Sequence, residues 1–148
     1  MSLYTARVNF TPTTVPDGAI HIIGSATARA ALCGFNISSD ATPVEQTGEY
    51  QVARTSTTGT GAATPTPIKA SNFSPAAVCT LAVGTFSVDP TLGDLLFDTS
   101  VHQKNTFRWV AYPGREYHSA PAANAGLLIH CIQQSAAFSL NVSAEWLE

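Results

Sequence analysis

Four histidines, His21, His102, His118 and His130, and three cysteines, Cys33, Cys79 and Cys131, are the residues best suited to metal binding or nucleophilic catalysis. Their spacing serves neither. The histidines form no HxH, HxxxH or HExxH pattern, which would bring two imidazoles together on one local face. His130 and Cys131 are neighbours inside an apolar run, and adjacent strand residues point to opposite faces, so they cannot form a dyad. The cysteines lack CxxC spacing and each sits in an apolar segment, so they read as buried free thiols suited to a reducing compartment. No GxSxG, P-loop or dinucleotide-binding glycine pattern occurs. This reading expects no metal, no cofactor and no enzyme.

The one dense cluster of recognition residues is "RWVAYPGREYHSAP", with Trp109, Tyr112, Arg115, Glu116, Tyr117 and His118. "YPGR" has Pro at the second and Gly at the third position, as a type II turn requires. Three uses of this hairpin stay open. Trp109 fills the core behind a wet tip, or Tyr, Trp and Arg make a protein interface, or the aromatic faces stack on sugar.

The elements that must position these residues are strands. In "LYTARVNF", Tyr4, Ala6, Val8 and Phe10 share one face. In "ALCGFNIS" the same period groups Ala31, Cys33, Phe35 and Ile37. "EYQVART" is a short strand, and Ala77 to Val88 reads as one long or two short strands, broken or bent near Gly84. "NTFRWVAY" sets Phe107, Trp109 and Ala111 against Arg108, Val110 and Tyr112. "GLLIHCIQQ" is nearly continuous and fits a central strand, and the chain closes with Phe138, Leu140, Val142 and Trp146 in near alternation. Gly24 to Leu32 is ambiguous between strand and helix. Turn signals such as "DPTLGD" and "APAANAG" separate the runs. The spacing predicts one all-β domain over 1–148, an antiparallel sandwich or barrel of about eight strands with both ends in the sheet.

Charge narrows the function classes. Charged residues are 11% of the chain, against about a quarter in a typical domain. A surface so poor in charge is cheap to dehydrate, as interface cores are, which favours assembly over a free monomer. The net charge is −3 and the seven Lys and Arg are scattered, so a nucleic-acid partner is not expected. No apolar run approaches a membrane helix and no secretory signal opens the chain, so no membrane partner is expected. Without such a signal the acceptor-like motifs at Asn36, Asn72 and Asn141 are chance matches.

The stretch from Arg54 to Ser71, "RTSTTGTGAATPTPIKAS", fits no strand. Its first half has linker composition and its second half alternates prolines, which favour extended backbone. Fully stretched it spans at most roughly 60 Å. A tether, a loop over a site and an arm across a partner are the alternatives, and the stiff half with Ile68 favours the arm.

The order of segments, "MSLYTARVNF", "CGFNISSD", "QVARTSTTGTGAATPTP", "FRWVAYPGREY" and "AGLLIHC", is similar to that of head decoration, or cement, proteins of tailed bacteriophages. The resemblance implies a jelly-roll-like β-sandwich made in the host cytoplasm. It also implies a homotrimer on the outside of the virion capsid, bound to the major capsid protein. From the reading of the residues, contacts with the capsid or with a second copy are expected from Arg54, Thr57, Thr58, Pro65, Pro67, Ile68 and Lys69 of the long stretch and Tyr112, Arg115 and Tyr117 of the hairpin. Some members reach the capsid with an arm ahead of the first strand, which is not evident here, so attention moves to Arg54–Ser71. Deleting Thr57–Pro67 is then expected to leave a folded oligomer that no longer binds capsids. The alternative is a receptor- or carbohydrate-binding module with Trp109, Tyr112, Arg115 and Tyr117 as its platform.

Overall fold

The alternation at the N-terminus does form a strand, β1 (Leu3–Phe10), with Tyr4, Ala6 and Phe10 buried. The computed structural model describes residues 1–12, 16–39, 45–134 and 139–148. The further strands in the first half are β2 (Asp17–Ile23), β3 (Ala31–Ser39), β4 (Thr47–Thr55) and the short β5 (Ile68–Lys69). In the second half are β6 (Thr80–Val83), β7 (Leu92–His102), β8 (Phe107–Val110), β9 (Tyr117–His118), β10 (Gly126–Gln134) and β11 (Leu140–Leu147).

These strands make two antiparallel sheets. The first runs β5-β1-β11-β3-β8, with β9 also on β3; the second runs β6-β2-β10-β4-β7. With the short β5, β6 and β9 set aside, the pairing is nested. β1 pairs with β11, β2 with β10, β3 with β8 and β4 with β7, and successive pairs fall in alternate sheets. That is the order of a jelly roll, a long hairpin rolled into two facing sheets. The described residues form eleven strands against the expected eight or so, the three short ones accounting for the excess.

The inner faces meet in one core, in which Tyr4 stacks on Trp146 at 5.9 Å and Ile20, Ile22, Leu127, Ile129 and Val142 are buried. The two ends are tied together beside it, since Ser2 and Glu148 exchange backbone hydrogen bonds. The Glu148 side chain also accepts from the amides of Val78 and Cys79 and from Trp146 Nε1.

Several expectations change. β3 bulges opposite the Glu145/Trp146 step, so Leu32 pairs with Trp146 and turns into the core while Cys33 drops out of the inward set. Phe35 and Ile37 keep the expected face. Gly24–Ala30 is neither helix nor strand; there Ser25 Oγ accepts from the Thr27 and Ala28 amides in a tight turn, and β3 begins at Ala31. Of Ala77–Val88 only β6 is a strand. Two strands arise where the alternation gave no signal: β2, inside "DGAIHII", and β7, which begins within the expected "DPTLGD" turn. Phe138 lies outside the described residues.

The largest correction concerns Arg54–Ser71, which does not project as an arm. Ser56 donates to Thr91 O, Thr60 donates to Val88 O, and Ala63 and Val83 exchange both backbone bonds. This strap lies over the outer face of the second sheet, where Ala82, Phe86 and Leu128 form a second small core with Ile23 and Ala62 beside it. The glycines read as linker permit close approach: a Cβ at Gly59 would lie 2.4 Å from the Phe86 ring. Thr64–Pro67 then cross a hollow of about 500 Å³ beside Cys79 and Leu81, and β5 joins Tyr4 and Thr5 in the other sheet.

Removing Thr57–Pro67 would therefore uncover a core and destabilise the body. The sharper test is Phe86→Ala, which should cost about 3 kcal/mol in urea unfolding, the range for a buried aromatic. A loss below about 1 kcal/mol would mean that Phe86 is not packed between the strap and the second sheet.

Candidate functional site

The expected contact residues divide into two regions. Thr57 is exposed but its Oγ1 donates to Thr91 Oγ1 and accepts from the Thr91 amide. Thr58, Pro65, Ile68 and Lys69 are exposed on the outer side of the strap and at β5, while Pro67 is half-buried against the hollow. Arg54 lies elsewhere. Its Nε donates to His118 O and its NH1 to Asp94 Oδ2, both at 2.9 Å, so it ties β4 to β9 across the two sheets and to β7. Its Asp94 partner is largely exposed, so the ion pair is worth no more than about 1 kcal/mol.

The hairpin after β8 is built as its residues dictate. Arg115 N donates to Tyr112 O at 2.8 Å, and Gly114 has φ 79°, the value the third position of a type II turn needs. Gly114 N donates to Glu116 Oε1, and the two backbone bonds that carboxylate accepts hold it below the usual carboxylate range. The turn raises Tyr112, 81% exposed, and Arg115 into solvent. Trp109 and Tyr117 behave differently. They stack on each other at 4.7 Å and 6°, and Trp109 also stacks on Phe35 at 5.5 Å. With Phe97 and Phe107 they close the side of the sandwich between β7 and β8. Trp109, Tyr112, Arg115 and Tyr117 therefore do not form one exposed platform; one face of each stacked ring is spent on the other.

The titratable residues are arranged for burial. Burial pushes the thiols of Cys79 and Cys131 up to about 12, Cys79 with help from the Glu148 carboxylate, and raises Cys33 as well. Thiols held protonated at neutral pH are poor nucleophiles. No group of three or more His, Cys, Asp or Glu able to hold a metal ion occurs among the described residues. A polar hollow of about 230 Å³ on the outer face of the first sheet is lined by Asn36, Arg108, Ser143 and Glu145, with Asn36 Oδ1 buried and unpartnered.

His21 and His130 lie on the outer face of the second sheet and are both buried. His21 Nε2 is 2.8 Å from Thr55 Oγ1 and its ring meets Phe86 edge-on. His21 Nδ1 and His130 Nε2 are buried without partners. Burial lowers both imidazoles to about 4, against a small opposing pull of Asp98 on His130. Both are thus neutral at pH 7.

The large side chains missed in the reading of the residues are exposed ones. Phe73 is 99% exposed, on a turn in which Ser74 N donates to Ser71 O and Phe73 N to Ser71 Oγ. Leu92 and Leu95 are 46% and 53% exposed on β7. Phe73 could have been found as a lone aromatic between serines; the leucines could not, because the strand that carries them was not expected.

No protein-family model matches the chain, and no curated protein or solved structure matches it.

The buried histidines set a pH dependence. Their folded values lie below the ordinary 6.5, so the unfolded chain takes up protons that the folded one refuses, and stability falls as pH drops below 6.5. By pH 5 the loss should reach roughly 2 kcal/mol per histidine. His130→Gln should about halve the slope of unfolding free energy against pH between 6.5 and 5. An unchanged slope would contradict the buried neutral state.

Proposed function

We propose that this chain is a non-catalytic structural protein of a tailed-phage virion, a decoration or cement protein that binds the major capsid protein on the outside of the head as a homotrimer. The observation that carries the reading is a low-charge skin on a rigid body. Charged residues are 11% of the chain, yet Phe73, Tyr112, Ile68 and Val110 are exposed on built turns and strand edges. Interface centres have this composition, with aromatic and Arg anchors in place of Lys, Glu and Asp. The jelly-roll order is compatible with it, since viral capsid domains share that architecture, although lectin domains do too.

The strap changes the mechanism that the resemblance implies. A hydrogen-bonded strap does not reach for the lattice. Contact instead comes from surfaces already in place: the Tyr112–Arg115 turn, with Thr58 and Pro65 on the outer side of the strap. Preorganised contacts lose little entropy on docking. Several weak patches on one oligomer then bind together once the capsid presents subunits at matching spacing.

Co-sedimentation with undecorated phage heads tests this. The wild-type chain should pellet with the heads and raise their resistance to heating. Tyr112→Ala with Arg115→Ala should weaken binding by at least about 30-fold, the scale of hot-spot loss, with no change in unfolding midpoint. A wild-type chain that stays in the supernatant at every concentration would overturn the proposal.

A further inference from the structure

The outer face of the first sheet carries polar side chains that the rest of the described chain does not engage. Phe35, Trp109 and Ala144 turn inward, so their neighbours along β3, β8 and β11 point out. The outward residues form transverse rows. Ser143, Asn36 and Arg108 make one row, and Glu145, Gly34 and Val110 make the next. Gly34 contributes no side chain, which leaves the hollow of about 230 Å³ open between the rows. A Cβ there would lie 3.8 Å from Glu145 Oε2 and 3.9 Å from Val110 Cγ2, so any larger residue would begin to fill the floor.

Among the described residues the side chains of Asn36, Arg108, Ser143 and Glu145 make no hydrogen bond, and Arg108 and Glu145 make no ion pair. Asn36 Oδ1 is also shut off from water. A buried acceptor without a donor is costly, and polar atoms packed only for stability are normally paired. The last torsion of an asparagine is broad, so this amide can turn its oxygen toward a donor in the hollow. All four groups stand on paired strands, so a ligand has only side chains to order.

The donor set identifies the ligand. Arg108 donates, Glu145 accepts, and Asn36 and Ser143 do both. A hydroxyl also gives and takes a hydrogen bond, so a polyhydroxylated ring satisfies all four. One cation and one anion line the hollow, so a charged ligand would meet a like charge; Arg7 stands beyond Ser143 on β1, outside it. The volume is below the roughly 300–1,000 Å³ of pockets for drug-sized molecules, so it takes a single ring. Two residues along the strands, about 7 Å away, Asn9, Asn141 and Ser38 form a row of amides and hydroxyls without charge. That row suits a second ring.

We infer that this face binds neutral saccharide, with one pyranose ring seated over Gly34 among Asn36, Arg108, Ser143 and Glu145 and the next on the Asn9–Ser38 row. The site goes beyond the capsid-binding reading and lies apart from the Tyr112–Arg115 turn. It is tested on the isolated chain without capsids, so either reading can fail alone.

The experiment follows the backbone amide shifts of the labelled whole chain during titration with maltose, cellobiose and lactose. At least one of the three should shift Gly34, Asn36, Arg108 and Ser143 saturably, with a Kd of about 1 mM, as suits a small open site. Arg108→Ala and Glu145→Ala, both at exposed positions, should each weaken that binding at least about tenfold while the rest of the spectrum stays in place. Tyr112→Ala should leave it unchanged. Glucuronate and inorganic phosphate should bind more weakly than the disaccharide. The absence of a saturable shift with all three sugars up to about 100 mM would overturn the inference. Tighter binding of phosphate or glucuronate would do the same, by making Arg108 an anion site, as would binding that Tyr112→Ala abolishes and Arg108→Ala spares.

Discussion

Burial of β10 on both faces is the constraint from which the rest follows. Leu127, Ile129 and Cys131 point into the main core, while Leu128 and His130, on the other face of the same strand, are equally inaccessible. A strand apolar on both faces cannot front solvent in a two-layer sandwich without cover. The cover is supplied by Phe86 and by the strap around Thr60 and Ala63, which bonds to Val88 and Val83. The polar stretch is thus a third partial layer over the second sheet, and its threonines and glycines suit a chain that lies close against a surface.

That layer determines which parts of the molecule are available to partners. The outer face of the second sheet around Leu128 is covered by Phe86 and the strap, and the inner faces are spent on each other. What remains is the β4–β7 part of that outer face, with Asp98 and Ser100 exposed, the two lateral sides, the outer face of the first sheet and the tips of hairpins. Large exposed side chains collect there, on elements whose backbone is already bonded: Phe73 on its serine turn, Ile68 on β5, Leu95 on β7 and Tyr112 on a type II turn. A body built in this way presents these side chains on backbone that is already fixed.

The fold class was legible in the residues, and the reason is the period of two. Tyr4, Ala6 and Phe10, or Leu140, Val142 and Trp146, alternate because one sheet face meets the core and the other does not. The rule failed where that asymmetry fails. β2 is buried along almost its whole length, so "DGAIHII" shows no alternation, and β7 is an exposed edge that opens on Gly93 and Asp94. A single bulge was enough to exchange Leu32 for Cys33.

The site was less legible. The type II turn at Tyr112–Arg115 follows from "YPGR" alone, because only glycine sits comfortably at φ 79°. The tie from Arg54 to His118 and Asp94 joins residues far apart in the chain and has no local signature. The strap was misread because Gly and Thr were taken as marks of freedom, although the same residues allow tight approach. Hydrogen exchange tests this account most directly, read at the amides of Ser56, Thr60 and Ala63. A strap packed on the second sheet predicts protection close to that of β4, lost only as the domain opens. Exchange at the rate of an unstructured peptide at these three amides would contradict it.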